Sequence, residues 1–246
     1  LTVQPARPES LDTYECILVA RGYQGSANAE KAQQARLCLE AVTVSDSTFG
    51  NNSAFQGGGL YAHTGSVTLT GTSFDSNTAG DSGGAIYTNN AAVDVFGSFM
   101  WENVAGEGGA LFSSAGPVTI DDCTISDNDA NTSHGGAFSI GQSASLQVSS
   151  SSITVNEADN NGGAIYAFDS VISLDESVLS DNDAGVGGGV YLAGTASLTC
   201  TAPTTPPAGP ERIASLPWNM WASVSPPLDC INISRASPSS DATRST

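Results

Sequence analysis

Gly83-Gly84-Ala85-Ile86-Tyr87 is one of six copies of a single short pattern. The others are Gly57-Gly58-Gly59-Leu60-Tyr61, Gly108-Gly109-Ala110-Leu111-Phe112, Gly135-Gly136-Ala137-Phe138-Ser139, Gly162-Gly163-Ala164-Ile165-Tyr166 and Gly187-Gly188-Gly189-Val190-Tyr191. Successive copies begin 26, 25, 27, 27 and 25 residues apart. A fixed period of this length marks a solenoid, in which each unit buries its apolar face only by stacking on the next.

Two further segments keep phase with the glycine pairs. The first is an apolar-x-apolar pair: Val42/Val44, Val67/Leu69, Val93/Val95, Val118/Ile120, Leu146/Val148, Ile172/Leu174 and Leu198/Cys200. Alternation of period two means a strand with one buried face. The second reads apolar-x-x-Asn-x-Ala, from Phe49 to Asn52, Phe74 to Asn77, Ile125 to Asn128, Ile153 to Asn156 and Leu179 to Asn182. In the remaining copy an extra residue is expected, so that Phe99 or Met100 precedes Asn103. Three strands and three turns in about 26 residues cannot close a core alone. Stacked in parallel, they predict an all-β, right-handed, three-faced parallel β-helix of six to seven coils. The glycine pairs suit a turn that needs positive φ or close backbone approach. The column Asn52, Asn77, Asn103, Asn128, Asn156 and Asn182 suits amide hydrogen bonds passed from coil to coil.

The ends read differently. Residues 1–40 are expected to form an N-terminal cap, with a strand from Tyr14 to Ala20 and a helix from Ala29 to Glu40 that Asn28 caps. Residues 41–200 carry the repeats. Residues 201–246 are a Pro- and Ser-rich tail that includes Trp218 and Trp221, read as a loose cap or as disorder. Starting at Leu1 without a signal peptide, the chain is expected to be a fragment or a processed product.

Seven basic residues face 25 acidic ones, for a net charge of −18. Between Leu37 and Pro210 there is no Lys or Arg. Phosphate neutralisation needs those residues, so nucleic acid is excluded as a partner, and heparin-like chains or an anionic membrane surface are argued against. No run approaches the ~18 apolar residues of a transmembrane helix. The five cysteines form no CxxC pair, which argues against structural zinc. Cys16 with Cys38 and Cys200 with Cys230 are the disulfides expected, and Cys123 reads as a core thiol. Sequons stand at Asn51, Asn131 and Asn232.

Two outward columns are candidate sites. Tyr61, Tyr87, Phe112, Tyr166 and Tyr191, interrupted by Ser139, follow the residue taken as buried. They are expected to form an exposed aromatic ladder beside a smooth strip of Gly59, Ala85, Ala110, Ala137, Ala164 and Gly189, a face for sugar rings or another protein. Asp129, Glu157 and Asp183 stand in register after the asparagines, and calcium is the cation their oxygens would suit. No motif for another cofactor occurs. His63 and His134 are expected on the surface, roughly 14 Å apart by coil spacing, too far to act together.

Six paired copies of Gly-Gly-Ala-Ile/Leu/Val and Phe-x-x-Asn resemble the chlamydial polymorphic outer membrane protein repeat, over about residues 41–200, with the pectin-lyase-like right-handed β-helices as wider relatives. The resemblance implies a surface-exposed, autotransporter-like passenger that acts in adhesion. Residues 201–246 lack the alternating ~10-residue strands of a transmembrane barrel, so none is expected within them. The expected function is a non-catalytic extracellular or cell-surface β-helix, adhesive or structural, that meets a host or cell-surface protein or glycan. The alternatives are a polysaccharide lyase or hydrolase, calcium-dependent in one form, and a carbohydrate-binding module that uses the aromatic ladder. The enzyme alternative lacks a cation from Arg or Lys to neutralise a uronate carboxylate, and no acid in the coils has a basic partner.

Overall fold

The computed structural model describes residues 41–201, Gln142 apart. The expected N-terminal strand and helix, the tail from residue 202, and three of the five cysteines lie outside them. Every strand pairing in the described residues is parallel and joins one coil to the next. The strands make a 12-stranded sheet and two six-stranded sheets. These are the three faces of a parallel β-helix.

One coil shows how the sequence sets the path. Leu60–His63 and Ser66–Thr70 lie on the first face, Ser73–Asp75 on the second and Thr78–Ser82 on the third. The coil therefore has four short strands where three were expected. The Phe-x-x-Asn-x-Ala segment bends just before its Asn, and the continuous strand Leu111–Asp121 merges the first two segments into one sheet. The bend sits on a left-handed residue in every coil: Asn51, Ser76, Glu102, Asp127, Val155 and Asp181 have φ between 53° and 57°. Asn, Asp and Ser tolerate that region better than most residues, whereas a β-branched Val is an outlier there.

The apolar columns meet in register. Val42, Val67, Val93, Val118, Leu146, Ile172 and Leu198 are successive partners. On the second face the column is Phe49, Phe74, Met100, Ile125, Ile153 and Leu179. Met100 pairs with Phe74 and Ile125 and has the same two-residue interval before its Asn, so the extra residue expected in that copy does not exist. Met100 is buried, and Phe99 and Trp101 on either side of it point outward.

The glycine pairs form the tightest corner. Gly83 has φ 68°. A Cβ on Gly84 would collide with the carbonyl oxygen of Gly109, so the backbones of adjacent coils approach closely there. The small residue that follows is part of the core, not of a surface strip: Ala85, Ala110, Ala137 and Ala164 are fully buried. Regular period-two alternation has not yet begun where the chain leaves the corner, so two consecutive side chains, such as Ala85 and Ile86, both face inward. At Gly59 a Cβ would meet the Phe74 ring at 2.9 Å.

Candidate functional site

The Asn column is continuous. Asn128 Nδ2 donates to Asn156 Oδ1 at 2.8 Å, while Asn128 Oδ1 accepts from Asn103 Nδ2 at 2.9 Å and from the Asn103 backbone N–H at 3.1 Å. Asn128 Nδ2 also reaches the Met100 and Ser126 carbonyls at 3.0 and 2.9 Å. The same pattern links Asn52 to Asn77, Asn77 to Asn103, and Asn156 to Asn182, at 2.9 to 3.0 Å. From Asn77 onward these side chains are buried. Each amide from Asn77 to Asn156 therefore closes a corner and joins it to both neighbouring coils.

A second ladder, not expected from the sequence, runs down the corner between the first and second faces. The Thr72 backbone N–H donates to Ser98 Oγ at 3.0 Å, Ser98 N–H to Cys123 Sγ at 3.4 Å, Cys123 N–H to Ser151 Oγ at 3.0 Å, and Ser151 N–H to Ser177 Oγ at 3.2 Å. Each side chain donates back to the carbonyl two residues before it, as Ser151 does to Ser149 at 2.6 Å. Cys123 is a core thiol that occupies a hydroxyl position. Burial pushes it up from the usual thiol range, against the lowering effect of the Ser98 and Asp121 backbone hydrogen bonds. The repeated Ser, Thr or Cys three residues after each apolar-x-apolar pair was the available signal. Cys200 is half-buried, and Cys230, its expected partner, lies outside the described residues.

The aromatic column stacks face to face. Tyr61 and Tyr87 lie 5.0 Å apart at 8°, Tyr87 and Phe112 5.3 Å apart at 13°, and Tyr166 and Tyr191 5.7 Å apart at 9°. Exposure falls from 49% at Tyr61 to 8% at Tyr87, because each ring covers the face of the next. Ser139 stands in register between Phe112 and Tyr166. His134, from the turn before Gly135, fills that gap. Its ring lies 4.3 Å from Tyr166 at 15°, and its Nδ1 meets Asn161 Nδ2 at 3.1 Å. The surface position expected for His134 is thereby corrected to half-buried, while His63 is exposed. Ser139 Oγ donates to Glu107 Oε1 at 2.7 Å. Burial, then the Glu107 charge and Tyr191, raise the Tyr166 phenol above its ordinary range.

Asp129, Glu157 and Asp183 stand in register on the outer side of the third face. Partial burial, followed by the charges of Glu157 and Asp159, pushes the Asp129 carboxyl up. Their side chains do not converge: among the described residues no three of His, Cys, Asp and Glu come close enough to hold a metal ion. Nor does any buried side-chain nitrogen or oxygen in these residues lack a hydrogen-bond partner. Asn51 and Asn131, at two of the sequons, are exposed, and Asn232 lies outside the described residues. No helix among the described residues is long and apolar enough to cross a membrane.

The stacked parallel coils agree with a comparison across protein families, in which residues 32–202 match the family described as right handed beta helix region. The chain belongs to the right-handed β-helix family. The match covers more than half of the chain and includes every coil described above. No curated protein and no solved structure is similar to this β-helix at a significant level.

Proposed function

We propose that this β-helix is a non-catalytic rod, displayed outside the cell or at its surface, that serves in adhesion or as a structural spacer. The observation that carries the reading is how the interior polar groups are used. Asparagine amides, hydroxyls and the Cys123 thiol are committed to coil-to-coil bonds, and none of the buried polar side-chain atoms described is left to act on a substrate. A lyase acting on a uronate also asks for a cation beside the carboxylate, where negative charge develops, and the described coils contain neither Lys nor Arg. The resemblance to polymorphic outer membrane protein repeats supports surface display and adhesion. The aromatic column serves in this reading as a stiffener, because its rings cover one another.

Two assays test the proposal. Polygalacturonate and alginate are incubated with the full chain, with calcium and with chelator, and new reducing ends and unsaturated products are measured. The expected result is none, and turnover retires the non-catalytic reading in favour of a polysaccharide-active enzyme. Beads coated with the chain are then compared with albumin-coated beads for attachment to cells. Greater attachment is expected for adhesion, and equal attachment leaves only the spacer.

A further inference from the structure

On the second face one coil departs from the rest. Phe99 and Trp101 are 54% and 45% exposed, on either side of the buried Met100. They project outward from one strand, roughly 7 Å apart by strand geometry. On the adjacent coils the same outward positions are Ser73 and Asp75 below, and Thr124 and Ser126 above. Two large aromatic side chains in water amid small polar ones mark a contact surface.

Charge surrounds this platform on one side. Asp75 is the register partner of Trp101, and Glu102 follows Trp101 in the chain. A single hydroxyl serves both acids: Ser76 Oγ lies 2.7 Å from Asp75 Oδ1 and 3.3 Å from Glu102 Oε2. A hydroxyl has one proton to give, so at any moment one of the two carboxylates lacks that bond. No Lys or Arg stands anywhere in the described coils to balance them.

We propose that Phe99 and Trp101, with Asp75 and Glu102, form a binding platform for a glycan chain whose pyranose rings carry free amines. The rigid C–H face of a pyranose lies flat on an indole or a phenyl ring, and successive sugars of one chain can take the two rings. The ammonium groups meet the two carboxylates and the π face of Trp101, both of which attract cations. The hydroxyls of Ser73, Thr124 and Ser126 are placed for the sugar hydroxyls. Uronates and sulfated glycans are repelled by the same acidic surface. A peptide has less to hold here. The strand Phe99–Trp101 is paired on both sides, so it has no free edge for an added strand. The inference rests on the non-catalytic reading in one respect: the glycan is held and not cut.

The test is calorimetric titration of the full 246-residue chain with a glucosamine oligomer, at a mildly acidic pH where the amines are charged. N-acetylglucosamine, galacturonate and lysine oligomers are the comparisons. The glucosamine oligomer is expected to bind most tightly, with affinity that falls as salt rises. Trp101→Ala is expected to weaken it roughly tenfold. Asp75→Asn with Glu102→Gln should weaken it severalfold and flatten the salt dependence. Phe55→Ala, an exposed aromatic on the third face, should bind as the parent does. Absence of binding, equal affinity for the N-acetylated oligomer, tighter binding of the lysine oligomer, or an unaffected Trp101→Ala each overturns the proposal. Mass spectra of the recovered oligomer separate the two readings. A bound oligomer that is cut retires the non-catalytic rod and leaves the platform, whereas an intact, unbound one retires the platform alone.

Discussion

The corner before the third face and the corner before the second face turn the chain by the same device with different reach. In both, a residue with positive φ precedes a polar side chain that accepts the backbone N–H of the coil before it. An asparagine at the third-face corner then adds two amide protons shared among a side-chain oxygen and two carbonyls, five contacts at Asn128. A hydroxyl at the second-face corner accepts one bond and donates one. The consequence is visible within the chain. All six third-face corners are Asn, while the other column runs Ser47, Thr72, Ser98, Cys123, Ser151 and Ser177. A group that makes two bonds can be exchanged for another small group that makes the same two; a group that must both accept twice and donate in several directions has no substitute.

The third kind of corner, at the glycine pairs, uses no side chain, and the largest effect is expected there. Gly84→Ala forces a methyl group into the Gly109 carbonyl, and neither backbone can move without opening a coil. Loss of the cooperative transition in circular dichroism is the expected outcome. Asn128→Ala comes next. It strands several buried donors and acceptors, at about 1–3 kcal/mol for each group left unsatisfied, so about 3–5 kcal/mol is expected from guanidinium unfolding. Equal costs for Asn128→Ala and Ser151→Ala would break the comparison of the two corners. At the hydroxyl corner, Cys123→Val removes the acceptor of the Ser98 N–H and should cost about 1–3 kcal/mol. Cys123→Ser restores the column's usual group and should stay within about 1 kcal/mol of the parent.

Smaller effects sharpen the same contrast. Val155 holds a left-handed conformation, φ 57°, at a position where other coils have Asn, Ser, Asp or Glu. Val155→Asn relieves that strain and should raise stability by about 1 kcal/mol, read as a higher melting temperature. The smallest effect is expected at Asp129, whose carboxyl titrates above its ordinary range. A raised pKa in the folded state means that this group favours folding most below the usual carboxylate range and loses that contribution as pH rises through the raised value. Asp129→Asn should therefore melt slightly higher than the parent near neutrality, and the difference should vanish in acid. A difference that persists in acid would assign the effect to something other than charge.

The three-faced solenoid was legible because its signals repeat as letters: glycine pairs, alternating apolar residues and an Asn in every coil. The hydroxyl ladder was not, because Ser, Thr and Cys are different letters for one bonding pattern and Ser is common throughout the chain. Burial at Ala85 and Ala110 was misjudged because period two does not hold where the chain leaves the glycine corner. Phe99 competes with Met100 for the core position on hydrophobicity, and only the constant five-residue step from the inward Val95 selects Met100. That step also turns Phe99 and Trp101 outward. The place of His134 could be anticipated only by pairing the absent aromatic at Ser139 with a ring in the preceding turn.

The asparagine amides have a direction. Asn52 gives to Asn77, Asn77 to Asn103, and so on to Asn182, always the same way along the axis. Their dipoles therefore add instead of cancelling, much as peptide dipoles add in a helix. The column is a vector: an arrow drawn along it has an oxygen-bearing tail at Asn52 and an amide-bearing tip at Asn182. Two such arrows laid end to end continue the same donor-to-acceptor sequence only tip to tail, and reversing one sets like poles against each other.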